Sequence, residues 1–232
     1  MKTLFFVLIL TFCLGYGGLG QVNISAGGSI TENFTFGESA TATLTSSWRA
    51  DKNTTVRTVG SYAAAGSATE QRAGNNMSAT ATNGIYNFGA GDATTAIDRA
   101  VGGLSSGAAS KSVNIYLHLY NTGAIPIPNF TISYAVEKYR EGTNAAGYSI
   151  QLYHSADGNT WSSAGSDFLT SFPGADPTNS GYPSAPGDTG YVTAKTLPVA
   201  LAAGSSLYLA CNYSVTSGST TTSAQAMGID DV

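Results

Sequence analysis

The sequence predicts an all-β protein folded as an antiparallel two-sheet sandwich, and three observations predict it. Several segments alternate apolar and polar residues with the period of two that marks a strand with one buried face. Turn formers fill the gaps between them, with 28 glycines among 232 residues, as short strands joined by tight turns require. No segment carries the 3.6-residue periodicity of a useful amphipathic helix, and no internal repeat is present. One domain over residues 21–232 fits the size of a large β-sandwich.

At the start, Met1-Lys2-Thr3 precedes an apolar run at 4–14 and small residues ending Gly18-Leu19-Gly20-Gln21. A positive start, a short apolar centre and small residues at the exit mark residues 1–20 as a secretory signal peptide cut after Gly20. The run is short for a membrane span, and Phe12 is too bulky for a lipoprotein site at Cys13. The expected location is therefore secreted and extracellular, without membrane insertion.

Residues 30–36, ITENFTF, alternate and predict the first core strand. From 40 to 91 the chain is rich in Ala, Thr, Gly and Asn with isolated aromatics at Trp48, Tyr62, Tyr86 and Phe88, which predicts short strands and long loops. DRAVGGL at 98–104 begins another strand. Residues 112–120 give the clearest pattern, with Val113, Ile115, Leu117 and Leu119 on one face and Asn114, Tyr116, His118 and Tyr120 on the other. After Pro126 and Pro128, the set Phe130, Ile132, Tyr134 and Val136 points inward and Thr131, Ser133, Glu137 and Tyr139 lie opposite. Tyr148, Ile150 and Leu152 then face inward, with Gln151 and Tyr153 opposite them.

SADGNTW at 155–161 is a hairpin turn, Asp157-Gly158 supplying the positive φ and Trp161 restarting a strand. Residues 172–190 hold Pro173, Pro177, Pro183 and Pro186 and predict a long loop. Leu207, Leu209, Cys211, Tyr213 and Val215 alternate with Tyr208 and Asn212, and the terminal MGIDDV predicts a last strand cut off in mid-course.

Only 10% of residues are charged and the formal net charge is −4. No basic stripe exists to meet phosphates, so nucleic acid is not an expected partner. With the signal peptide removed Cys211 is the single cysteine, so no internal disulfide is possible and packing must hold the exported fold.

The segments SITENF, DRAVGGL, ISYAVEKYREG at 132–142, YHSADGNTW at 153–161, SLYLACNYS at 206–214 and the terminal GIDDV together resemble a jelly-roll domain of secreted multidomain bacterial proteins. In such proteins, of Bacteroidota type, it stands ahead of nuclease, lamin-tail or sorting domains. Glu137-Lys138-Tyr139-Arg140 is similar to that family's Glu-x-aromatic-Arg, where Trp is commoner than Tyr. The resemblance implies an extracellular, lectin-like β-sandwich and no particular ligand.

Catalytic chemistry has few candidates. His118 and His154 are the only histidines, and neither a G-x-S-x-G elbow nor H-E-x-x-H is present. Glu137 and Glu141 flank Lys138 and Arg140, which reads more simply as an ion-pair network than as a glycosidase carboxylate pair. The chain is therefore read as a non-enzyme.

A ligand face is the alternative use of the non-core side. Tyr116, His118, Tyr120, Glu137, Tyr139, Gln151, Tyr153, Tyr208 and Asn212 would converge if their strands neighbour one another, and rings beside amides and carboxylates suit a sugar or surface polymer. The competing reading, which the commonness of covered aromatics favours, is a second small core beneath the long loops. Glu32, Asp230 and Asp231 are candidate ligands of a structural Ca²⁺ if first and last strands lie side by side. The leading expectation is adhesion or carbohydrate binding. The alternative is a self-assembling surface or filament subunit, in which GIDDV or residues 21–29 pair with another subunit's sheet edge.

Overall fold

The structure, a computed structural model, describes residues 20–45, 47–105 and 107–232, so the expected signal peptide lies almost wholly outside the described residues. Thirteen strands form among them: β1 (Val22–Ile24), β2 (Trp48–Asn53), β3 (Gln71–Ala73), β4 (Gly84–Gly89), β5 (Arg99–Leu104), β6 (Ser112–Asn121), β7 (Phe130–Arg140), β8 (Tyr148–Ser155), β9 (Ser162–Ser163), β10 (Leu169–Phe172), β11 (Asp188–Leu197), β12 (Ser206–Val215) and β13 (Ala226–Asp230). Two short 3₁₀ turns at Tyr62–Ala64 and Ser166–Phe168 are the helical content among the described residues.

The strands build two sheets. The first runs β1-β6-β12-β8-β10, with β2 continuing the β1 edge of β6 and β9 pairing with β8; the second runs β11-β7-β13-β5-β4-β3. Pairing is mostly antiparallel, but β1 lies parallel to β6 and β3 parallel to β4. Both sheets are thus mixed, which corrects the purely antiparallel expectation. The parallel pairs are three residues long, each a short segment laid beside a longer strand.

The alternation at 112–120 sets the core. Val113, Ile115, Leu117 and Leu119 enter the main apolar cluster together with Tyr134, Val136, Tyr148, Ile150, Leu152, Val101 and Ile229. Close approach of the sheets depends on Gly103, where an added Cβ would lie 2.6 Å from Val113 Cγ2. The outward side of the second sheet is floored by Ala100, Gly102 and Gly228. Across this low floor the rings of Phe88 on β4 and Tyr139 on β7 reach over two intervening strands and stack, with centroids 4.4 Å apart.

Two sequence expectations change. Residues 30–36 form no strand: Glu32 Oε1 accepts the Phe34 N–H at 2.8 Å, Phe34 sits at φ 47°, and the backbone bonds reciprocally to Val232. A side chain that captures a nearby N–H competes with a sheet ladder, and the apolar alternation instead buries Phe34 edge-on against Trp48. The expected last strand forms as β13 but is not an edge of a sheet. β13 lies inside the second sheet, paired with β7 on one side and β5 on the other, so it has no free side to offer another molecule.

Candidate functional site

The register of the first sheet places most of the predicted ligand face together. His118 lies beside Tyr208 and that beside Ser155; Tyr116 beside Ala210 and that beside Tyr153; Asn114 beside Asn212 and that beside Gln151. Tyr120 follows His118 on the same side of β6. Glu137 and Tyr139 do not join them, because β7 belongs to the other sheet. Tyr139 is fully buried against Phe88, and its hydroxyl donates to Glu137 Oε2 at 2.5 Å. The two residues were grouped with the face by side-chain parity alone, which does not say which sheet a strand joins.

The chain itself covers the face. A strap at residues 56–66 lies across it and packs Tyr62, 1% exposed, against Tyr116, His118 and Tyr208. Tyr62, Ala65, Tyr116 and Ala210 form a second apolar cluster, with Val59, Tyr153, Trp161 and Tyr208 packed around it. Polar bonds fasten the strap. Tyr116 Oη donates to Asp51 Oδ2 at 2.8 Å and accepts the Gly60 N–H at 2.9 Å; Asn114 and Asn212 both donate to Thr58 O; Trp161 Nε1 donates to Gly60 O at 2.7 Å. Burial pushes the Asp51 carboxyl up despite the hydrogen bonds it accepts from Asn114 and Tyr116.

The hairpin at 156–161 closes the far side. Asp157 accepts from Ser155 Oγ, Asn159 N and Thr160 N, which holds its carboxyl far below the usual range, and Gly158 takes φ 72° as expected. Trp161 is not in a strand; it turns back to hold the strap. What stays partly open of the predicted face is a rim of Tyr120, Tyr153 and Tyr208, joined by Trp161. Gln151 is spent on the carbonyls of Leu152 and Gly165. His118 bonds Ser206 and stacks under Tyr208 at 4.2 Å, and burial holds it below its ordinary pKa.

Tyr62, Asp51, Asn114 and Trp161 carry this arrangement and were outside the predicted set. An isolated tyrosine in a loop was the one available signal for Tyr62, and it names no partner.

The charge cluster of β7 holds the proline-rich loop rather than pairing within itself. Lys138 Nζ meets Asp176 Oδ1 at 2.8 Å with both side chains mostly buried, and the other Asp176 oxygen accepts from Gly142 N and Gln225 Nε2. Burial opposes ionisation of Asp176, yet these donors hold its pKa low. Arg140 donates to the carbonyls of Asn179, Ala224 and Ala79. Glu141 accepts from Thr178 Oγ1. The expected ion-pair network among Glu137, Lys138, Arg140 and Glu141 does not form; Lys138 pairs with Asp176 and Arg140 bonds carbonyls of neighbouring segments instead.

An apolar cleft of about 380 Å³ opens between the sheets at one edge. Its floor is Trp48, Leu117, Leu119 and Leu209, and its walls are residues 24–32 and Asn129–Ser133. The ladder between β13 and β7 stops at Asp230 and Ala135; Asp231, at φ 50°, turns the chain away so that Val232 pairs with Glu32. On that side β7 continues to Phe130 with no strand beside it among the described residues.

The metal candidates separate. The backbones of Glu32 and Val232 do lie side by side, but the Glu32 carboxylate is taken by Phe34 N–H and Thr45 Oγ1. No group of three or more His, Cys, Asp or Glu side chains arranged to hold a metal exists among the described residues. Cys211 is buried, with its thiol pushed up to about 12 by desolvation. No helix among the described residues is long and apolar enough to cross a membrane. Comparison with protein-family models and with curated proteins finds no match to this chain.

Proposed function

We propose that the protein is an exported, non-enzymatic sandwich of jelly-roll, lectin-like type that works as a structural or adhesive module, taking up an extended segment of another protein chain beside β7. The unpaired edge of β7 at residues 130–134, facing the apolar cleft, carries this reading. A strand added there would meet backbone N–H and C=O groups at ladder spacing and place alternate side chains over Trp48, Leu117, Leu119 and Leu209. A cleft near 380 Å³ lies at the lower end of sizes that hold specific ligands. Residues 21–29, considered earlier as a donor, already pair through β1 with β6.

The test is sedimentation velocity of residues 21–232 over a concentration series, for the wild type and Ile132→Asp. Concentration-dependent assembly that the variant loses while keeping its far-UV spectrum supports strand addition. A monomer at every concentration removes self-assembly.

A second reading, carbohydrate binding, draws support from the half-buried rings of Tyr120, Tyr153, Tyr208 and Trp161 at the rim of the strap. Glycan-array signal lost in Tyr153→Ala, with assembly unaffected, would favour it over strand addition.

A further inference from the structure

The sheet begins one residue beyond the expected end of the leader. β1 pairs with β6 from Val22, opposite Leu119, so a cut after Gly20 leaves Gln21 alone ahead of the ladder. Gln21 is exposed, and its Nε2 donates to Asn23 Oδ1 at 3.1 Å in an exposed bond. The peptide group before it is held by the strap. Tyr62 Oη donates to Gly20 O at 2.8 Å and lies 3.3 Å from Ser47 O. The Arg49 guanidinium sits over the same ring, 5.1 Å from its centroid, and donates to Ala65 O. Among the described residues Arg49 forms no ion pair with a carboxylate.

Hydrolysis after Gly20 turns the backbone nitrogen of Gln21 into a primary amine, spaced from its own side-chain amide by the length of an unstrained lactam ring. Attack of the unprotonated amine on Cδ forms the N–Cδ bond and breaks the Cδ–Nε2 bond. One amine proton passes to the departing nitrogen, which leaves as ammonia, so no further reactant is needed. Closure turns only χ1 and χ2 of an exposed side chain and leaves the β1–β6 ladder in place.

Charge favours the closed form. An open terminus carries an ammonium at neutral pH, on the nitrogen next to the carbonyl carbon whose oxygen the Tyr62 hydroxyl holds. Arg49 already places one cation over that ring, and like charges about a partly buried group repel. The lactam is neutral.

We propose that Gln21, once the leader is cut, closes to a pyroglutamyl ring, so that the mature chain presents a neutral, blocked N-terminus beside the Tyr62 strap. The inference rests on the exported reading, in which that cut falls after Gly20. The Gly20 carbonyl leaves with the leader, and Tyr62 keeps Ser47 O as its acceptor.

The experiment expresses the full chain with its own leader in a secreting bacterial host and takes the intact mass and the N-terminal peptide of the exported protein. The expected result is a chain starting at residue 21, lighter by one ammonia and unreactive to amine labels at that end. A chain starting with Gln21 that keeps a free amine overturns the proposal while leaving the exported reading intact. A start at any other residue overturns both. Gln21→Ala, which cannot cyclise and keeps its ammonium, should melt on the order of 1 °C lower than the wild type at low salt. High salt should close that gap, because the repulsion is screened. Equal melting at low salt, with the wild type cyclised, overturns the placement of the terminus beside Arg49.

Discussion

Arg140 shows how one side chain can hold three segments. Its guanidinium donates to Asn179 O, Ala224 O and Ala79 O, tying the proline-rich loop, the approach to β13 and the turn after Met77 to the end of β7. Arg140→Ala is expected to cost about 3 kcal/mol in urea unfolding, since charge-assisted hydrogen bonds are among the stronger ones and three carbonyls, that of Ala224 buried, lose a donor. Arg140→Lys should recover little, because an ammonium cannot fan to three directions. The histidines give a separate prediction. Burial lowers the pKa of both His118 and His154, so the unfolded chain binds protons first as pH falls, and the stability they contribute is present above pH 6.5 and lost below it. Melting temperatures at pH 7 and pH 5 should therefore differ less in His118→Gln/His154→Gln than in the wild type. The sequence suggests that the charges of Glu137, Lys138, Arg140 and Glu141 anchor the end of β7. It did not show that the anchor holds Asp176 and Asn179, because those residues sit in a loop without periodicity.

At the scale of elements, the strap over the first sheet is the feature that decides how the outer face is used. Its path is tight: a Cβ on Gly60 would lie 2.2 Å from Asp51 Oδ2 and 3.1 Å from the Tyr116 hydroxyl. Gly60→Ala should loosen the strap, read as faster amide exchange at residues 56–66 with the β6–β12 ladder still protected. Tyr62→Ala removes the ring that touches Tyr116, His118 and Tyr208, and should destabilise by about 3–5 kcal/mol, the usual cost of truncating a large buried aromatic. The strands beneath were readable because Val113, Ile115, Leu117 and Leu119 declare their face directly. The strap was not, since Thr58, Gly60 and Tyr62 act through single hydrogen bonds and one ring, and neither has a period.

For the whole molecule, composition and alternation were enough to imply two packed sheets, but not their strand order. Period two says which residues share a side of one strand; only pairing says which strands share a sheet, so Glu137 and Tyr139 were grouped with residues that β7 never meets. The same gap hid the position of β13. GIDDV reads as a last strand that could pair with another molecule, yet Ile229 pairs with both Val136 and Val101 in the middle of the second sheet. Both outer faces end up clothed by the chain, one by the strap around Tyr62, the other by loops knitted together through Asn75, Gly91, Tyr182 and Ala185.

That clothing has a kinetic meaning. The strap's partners, Asn114, Tyr116, Trp161, Tyr208 and Asn212, come from segments up to some 150 residues farther along the chain, and they become a single surface only after β6, β12 and β8 have paired. Such distant pairings close slowly. During refolding, residues 56–66 should stay open to a protease after the central ladder has become resistant, and pulse proteolysis would read that order. Simultaneous protection would mean that the strap helps to assemble the sheet it covers.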